Sequence, residues 1–262
     1  MKITIYNENR LTRQPFFKSL IAYLAQTDDV SLRQLHQVFK AEDKLDRKLD
    51  AYIAAGLIER QNRRYRNSFK IFTDEDFELS NFEKASTPQI NTYDRPFFVE
   101  SGSQIETLLN QSLIFQILEN DINQIKLHFT TRFDFKENPT DDTVPATLAN
   151  YFIKVAENLP LTAFEEGIYH IMGDTDPNYA LRYMISFLLK FSKKDRVKSK
   201  PDIFVKVLEK YGLIEAINEK EYACLIDFKG ESPALVQFEQ ADDFIVAQLK
   251  QSRRLASWIE IS

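Results

Sequence analysis

Glycine is scarce, with 6 in 262 residues. Folds built on glycine-rich turns, such as dinucleotide-binding sheets, are therefore disfavoured, and helices are favoured. Cysteine occurs once, at Cys224, which excludes an internal disulfide and a cysteine metal cluster. Within the apolar stretch 222–228, Cys224 is expected to be a small buried hydrophobe rather than a reactive thiol. The three histidines, His36, His128 and His170, fall in different segments. Glu166 lies one helical turn before His170, but no second His or Cys nearby completes a metal set. No apolar run approaches the ~18 residues of a membrane span. The N-terminus turns polar by Asn7, so no secretory leader is read and a cytoplasmic location is expected. Phosphate-cradling glycine loops, nucleophile elbows and kinase signatures are missing. The stretch 174–178 lacks the glycine and terminal glutamate of a calcium loop and reads as a turn and helix start. The expectation is a protein that is not an enzyme, with no catalytic residue, no metal and no small-molecule cofactor.

What is present is aromatic and unevenly charged. The hydrophobic fraction is 44%, and 21 Phe and 11 Tyr make the expected cores aromatic-rich. Net charge is −5, but residues 1–72 hold 14 Lys/Arg against 8 Asp/Glu, a surplus of +6. The remainder, with 20 against 31, carries −11. A basic N-terminal unit joined to an acidic one is the main electrostatic feature.

One phrase occurs twice. Gly56-Leu57-Ile58-Glu59 and Gly212-Leu213-Ile214-Glu215 each close an apolar helical pattern and open a strand-like one. In the first copy a short strand, 2–6, precedes a helix over 11–26. Ser31 caps a second helix with Leu32, Leu35, Val38 and Phe39 inward. A third helix runs over 43–55, and Gly56 suits its left-handed end. Strands near 57–60 and 65–72 follow, joined by the polar turn 61–64. Three helices and a hairpin make the winged-helix order.

In the second copy the pattern Phe17–Leu24 reappears as Leu181–Leu188. The interval to the glycine is eight residues shorter, at the expense of the second helix. Residues 191–200 are expected to be a degraded turn or basic loop there. The repeated pattern extends further. Ser103 to Glu106 is a capping-box pattern opening a helix, and Asp242 or Asp243 can cap its counterpart. Strand-like 97–99 and 235–238 precede the two helices. Helices over 146–158 and 162–172 lead into the second copy.

The fold class expected is therefore α+β, mostly helical, with tandem winged-helix-like units each followed by a strand and a helix. The domains are expected at 1–136, with a basic core at 1–72, and at 144–262. The polar segment 137–143 is the boundary. The segment Asn9 to Phe17 and the phrase Gly56 to Arg60 resemble a small bacterial domain family of unknown function, which occurs in one or two copies per chain. The resemblance brings no catalytic or binding residues with it.

Arg60-Gln61-Asn62-Arg63-Arg64-Tyr65-Arg66 concentrates four arginines at the tip of the first hairpin. Arginine matches phosphate geometry bidentately and enters narrow minor grooves, while amides hydrogen-bond bases or phosphates. Lys44 and Arg47 on the third helix and Arg33 on the second complete the expected DNA-contacting set, and Arg10, Arg13 and Lys18 could extend its positive face. Asp43, Asp46 and Asp50 leave the third helix closer to neutral. The second hairpin, Glu215 to Glu221, has three acidic residues and one basic. Two functions are expected: a regulatory protein that contacts DNA through the arginine-rich hairpin, or an adaptor that uses both units for protein contacts. A protein partner or self-association is expected in either case, and no membrane.

Overall fold

The computed structural model describes residues 2–27, 30–79, 89–120, 122, 125–135, 146–229, 233–251 and 257–261. The expected boundary loop 137–143 lies outside them. Helices and short strands alternate throughout, an α+β fold in which helix exceeds strand.

In chain order, β1 (Ile3–Tyr6) leads to α1 (Pro15–Gln26), β2 (Val30–Ser31), α2 (Leu32–Val38), α3 (Leu45–Ala54), β3 (Ile58–Gln61), β4 (Arg64–Asn67) and β5 (Ile71–Phe72). Then come β6 (Ile90–Thr92), β7 (Phe97–Glu100), α4 (Gln104–Gln111), β8 (Leu113–Asn120) and β9 (Ile125–Arg132). Next are α5 (Leu148–Glu157), α6 (Ala163–Met172), α7 (Pro177–Leu189), β10 (Arg196–Lys198) and α8 (Ile203–Lys210). The last are β11 (Ile214–Asn218), β12 (Glu221–Cys224), β13 (Asp227–Lys229), β14 (Leu235–Gln237), α9 (Ala241–Lys250) and β15 (Trp258–Ile261).

The chain divides into two compact units, and the division is not linear. Unit 1 comprises Met1–Glu83, Thr92–Leu109 and Gln237–Lys250, and unit 2 the rest. The late helix α9 belongs to unit 1 because Phe244 packs on Tyr93 and Phe97, with ring centroids 5.7 and 5.8 Å apart. The hairpin β8–β9 belongs to unit 2 because β9 pairs antiparallel with the C-terminal β15. A cut between residues 136 and 144 would separate both pairings.

Unit 1 holds a sheet of order β2-β4-β3 against α1, α2 and α3. Its core includes Phe17, Leu20, Ile21, Val30, Leu35, Leu49, Tyr52 and Tyr65. Helix α1 starts at Pro15 rather than at residue 11. Proline suits a helix's first position, and Asn9 uses its side chain to fold residues 9–12 into a turn, accepting from the amides of Leu11 and Thr12. Ser31 forms the expected capping box with Gln34. Val38 was expected inward but is exposed, since α2 is only two turns long and buries Leu35 alone. The strand expected over 65–72 is two strands in different sheets, with β5 running parallel to β7 in a sheet of order β1-β7-β5. At α4, Ser103 accepts from the Glu106 amide, while the Glu106 carboxylate accepts from Gly102. The Asp74 carboxylate takes the amides of Gln104 and Ile105 at 3.0 and 2.8 Å. Asp242 and Asp243 lie within the first turn of α9 and are not its cap.

Unit 2 contains a sheet of order β10-β12-β11 with α7 and α8, and a sheet of order β13-β15-β9-β8. Residues 191–200 are not a bare loop. Residues 190–192 make a 3-10 turn, and β10 pairs with β12 through Val197 and Tyr222. In unit 1 the corresponding pair is Val30 and Tyr65. Unit 2 therefore has no α-helix in the place of α2, but its sheet has the corresponding third strand.

The twin phrase has one geometry in both places. Gly56 and Gly212 have φ of +68° and +66°. Gly56 N donates to Ile53 O and Leu57 N to Tyr52 O, and Gly212 N to Glu209 O and Leu213 N to Leu208 O, all at 2.9–3.0 Å. This is a Schellman ending, in which a left-handed residue turns two amides back onto the last carbonyls of the helix. The leucine and isoleucine after it are buried in both copies. Register is conserved into the hairpins: Arg60 faces Tyr65, and Ala216 faces Tyr222.

Candidate nucleic-acid interface

The arginine-rich segment is a tight hairpin. β3 and β4 pair from Ile58–Asn67 to Gln61–Arg64, leaving Asn62 and Arg63 as a two-residue turn. Their φ values are +52° and +63°, the sign a type I′ turn needs at both central positions. Asparagine accepts that conformation readily, but the second position ordinarily favours glycine. Holding an arginine there is strained backbone at an exposed tip.

The pairing divides the arginines between faces. Cross-strand partners share a face and successive residues alternate. Arg60 lies with Tyr65 on the core side, its guanidinium carbon 5.5 Å from the ring centroid. Burial raises the Tyr65 phenol pKa. Arg60 opposes that shift, and the carboxylates of Asp46 and Asp50 on α3 add to it. On the other face are Glu59, Gln61, Arg64 and Arg66. Arg66 pairs with Glu59 and donates to Gln61 Oε1 at 3.2 Å. Arg63 occupies the turn itself, with Asn62 and Arg64 beside it. All three are exposed, whereas Tyr65 is buried and serves the core.

The other candidates are more scattered. Lys44, with φ +54°, precedes the first turn of α3, and Arg47 is exposed one turn on. Arg33 is exposed on α2. Near them Asp46 pairs with His36 at 2.9 Å, and Glu42 with Lys48. Lys18, expected to extend a positive face, is bridged to Glu8 at 2.6 Å.

Unit 2 is an internal control. Its equivalent hairpin gains one residue at an irregularity between Ala216 and Asn218, and Asn218 Oδ1 accepts from Lys220 N at 3.1 Å. It turns without left-handed residues. Its exposed charges are Glu215, Glu219 and Lys220.

Unit 2 buries several ionisable groups. Lys154 and Glu165, each 1% exposed, pair at 2.9 Å, and the same carboxylate oxygen accepts from Thr162 N. The sequence pattern gave no sign of this pair, because Lys154 occupies an inward position of α5. His128 stacks on Trp258 at 4.5 Å and lies 2.7 Å from Glu260. Burial lowers its pKa, and Glu260 only partly opposes this. Burial likewise raises the Cys224 thiol, in keeping with a packing role. Among the described residues no group of three His, Cys, Asp or Glu could hold a metal ion. Nor is any helix among them long and apolar enough to cross a membrane.

These features define an α+β protein whose first unit carries an arginine-tipped hairpin that its second copy lacks. Residues 3–112 match a family model described as "Domain of unknown function (DUF1803)". The match includes both segments that carried the resemblance and continues past them through α4. No curated protein and no solved structure matches the chain.

Proposed function

We propose that this is a winged-helix protein of regulatory role whose unit 1 contacts DNA through the hairpin of β3 and β4. The observation that carries the reading is the strained turn. Arg63 occupies a left-handed position that glycine would fill with less strain, while the homologous hairpin avoids such positions altogether. Strain of this kind persists where a side chain is useful. The contact is to phosphates or the minor groove, through Asn62, Arg63 and Arg64. The carboxylates of Asp43, Asp46 and Asp50 make α3 a poor reader of the major groove. Lys44, Arg47 and Arg33 have secondary roles in this reading, and Arg60 and Arg66 shape the hairpin.

The test is duplex DNA binding across a salt series, with wild type and the Arg63→Glu/Arg64→Glu variant. Binding that weakens steeply with salt and collapses in the variant supports the reading. Absence of binding by the wild type at low salt overturns it. The exposed carboxylates of Asp46 and Asp50 on α3 favour a second reading, an adaptor for a protein partner. That reading predicts no DNA binding and a partner interaction lost on reversing Asp46 and Asp50.

A further inference from the structure

Strand β8 is the longest sheet edge among the described residues, and it lacks the proline, lysine and bulges that usually blunt an edge. It lies at the end of the order β13-β15-β9-β8 and pairs residue for residue with β9 over eight positions, without a bulge. Its sequence, Leu-Ile-Phe-Gln-Ile-Leu-Glu-Asn, has no proline or lysine and only one charge, Glu119. Natural edges are ordinarily blunted by charge, proline, bulges or brevity, because an open row of amides and carbonyls pairs with other chains.

The ladder fixes which groups point outward. Phe133 N donates to Ser112 O at 2.9 Å, which makes that pair hydrogen-bonded. In an antiparallel ladder such pairs alternate, so Ile114, Gln116 and Leu118 bond inward to β9. The backbone groups of Phe115, Ile117 and Glu119 point away from it. The side chain of Ile117 is 43% exposed, although it faces the fully buried His128 across the ladder.

We propose that β8 is the seam of a homodimer, formed by antiparallel pairing with β8 of a second copy about a two-fold axis at Ile117. In that register Ile117 faces Ile117 of the second copy, and Phe115 faces Glu119 in both directions. The outward groups of the three residues are satisfied by about six hydrogen bonds. The lone charge meets a phenylalanine rather than its own copy, so no like charges oppose each other. That self-complementarity argues for a second copy as the occupant rather than a foreign strand. An open groove of about 570 Å³ borders the Glu119 end and offers room beside it, between Glu119 and the side chains of Tyr179, Leu181 and Arg182 on α7. The result is one continuous sheet and an isologous interface.

The test is the mass of the full chain in solution by light scattering and sedimentation over a range of concentrations. Wild type should have twice the 30.7 kDa chain mass at micromolar concentration. Two variants probe the seam. Ile117→Lys puts like charges opposite each other only in the dimer. Ile117→Pro removes an outward N–H that the intrachain ladder does not use. Both should be monomeric, with circular dichroism and melting close to wild type. A monomeric wild type overturns the proposal, and so does a dimer that survives both substitutions. Failure here leaves DNA binding by unit 1 untouched, since the residues are different.

Discussion

Replacing Arg63 by glycine should stabilise the protein while impairing what the hairpin does. Arg63 has φ +63° at the second position of a two-residue turn. A left-handed conformation costs an L-residue about 1–2 kcal/mol, and glycine escapes that cost. Glycine loses about 0.5–1 kcal/mol more chain entropy on folding, which offsets part of the gain. The side chain is exposed, so little packing is lost with it. The net expectation is a gain of about 0.5–1 kcal/mol, or a melting temperature about 2 °C higher in a chain of this size. Thermal melting and urea titration both read it. DNA affinity should fall in the same variant, and the slope of log affinity against log salt should flatten by about 0.9 for one lost phosphate contact. Lower stability for Arg63→Gly would refute the strain argument. Unchanged affinity and salt slope would refute the assignment of Arg63 to phosphate, even if the stability gain appeared.

Four further outcomes test the structural reasoning. Gly56→Ala and Gly212→Ala should each destabilise by about 1 kcal/mol in urea titrations, by similar amounts, because no atom lies within 4 Å of the added carbon at either site and the cost is left-handed backbone alone. Gly167→Ala should do the opposite and stabilise by about 0.5–1 kcal/mol, since Gly167 is inside α6 with the same open space. Lys154→Met should cost about 3–5 kcal/mol by leaving the Glu165 carboxylate buried without its cation, and the double variant Lys154→Met/Glu165→Gln should recover part of that loss. The lowered pKa of His128 makes unit 2 less stable in acid. Its unfolded imidazole takes up a proton below about 6.5 while the buried one does not, so stability is full above that pH and falls as pH drops toward the folded value. His128→Asn should therefore show a shallower loss of urea midpoint between pH 7 and pH 5 than wild type.

The readable parts of this chain were those in which local chemistry and tertiary structure agree. Ser31, Gly56 and Gly212 act through their own backbone, so these helix ends fell where the residues implied. The strand β10 was hidden because Arg196-Val197-Lys198 has a single apolar residue. Only its partner Tyr222 on β12, some 25 residues later, turns that segment into a strand. The mixed division of units was hidden for the same reason. Phe244 bears no mark in sequence of its contact with Phe97, nor Trp258 of its pairing with His128.

At the hairpin the sequence disclosed composition but not allocation. Four arginines in seven positions read as one patch, and only pairing register decides that Arg60 covers a tyrosine and Arg66 answers Glu59. Arg63 at the turn is a smaller feature than the patch the sequence promised, and it is harder to explain as surface decoration. A solvated hairpin needs charge somewhere, but it does not need charge at a left-handed turn position. The second copy keeps Gly-Leu-Ile-Glu, the Schellman ending and the facing tyrosine, yet it builds its tip from Asn218, Glu219 and Lys220 by a turn without that strain. The shared parts are what the sheet requires, so a role specific to the first unit has to reside in the few residues of the turn that the two copies build differently.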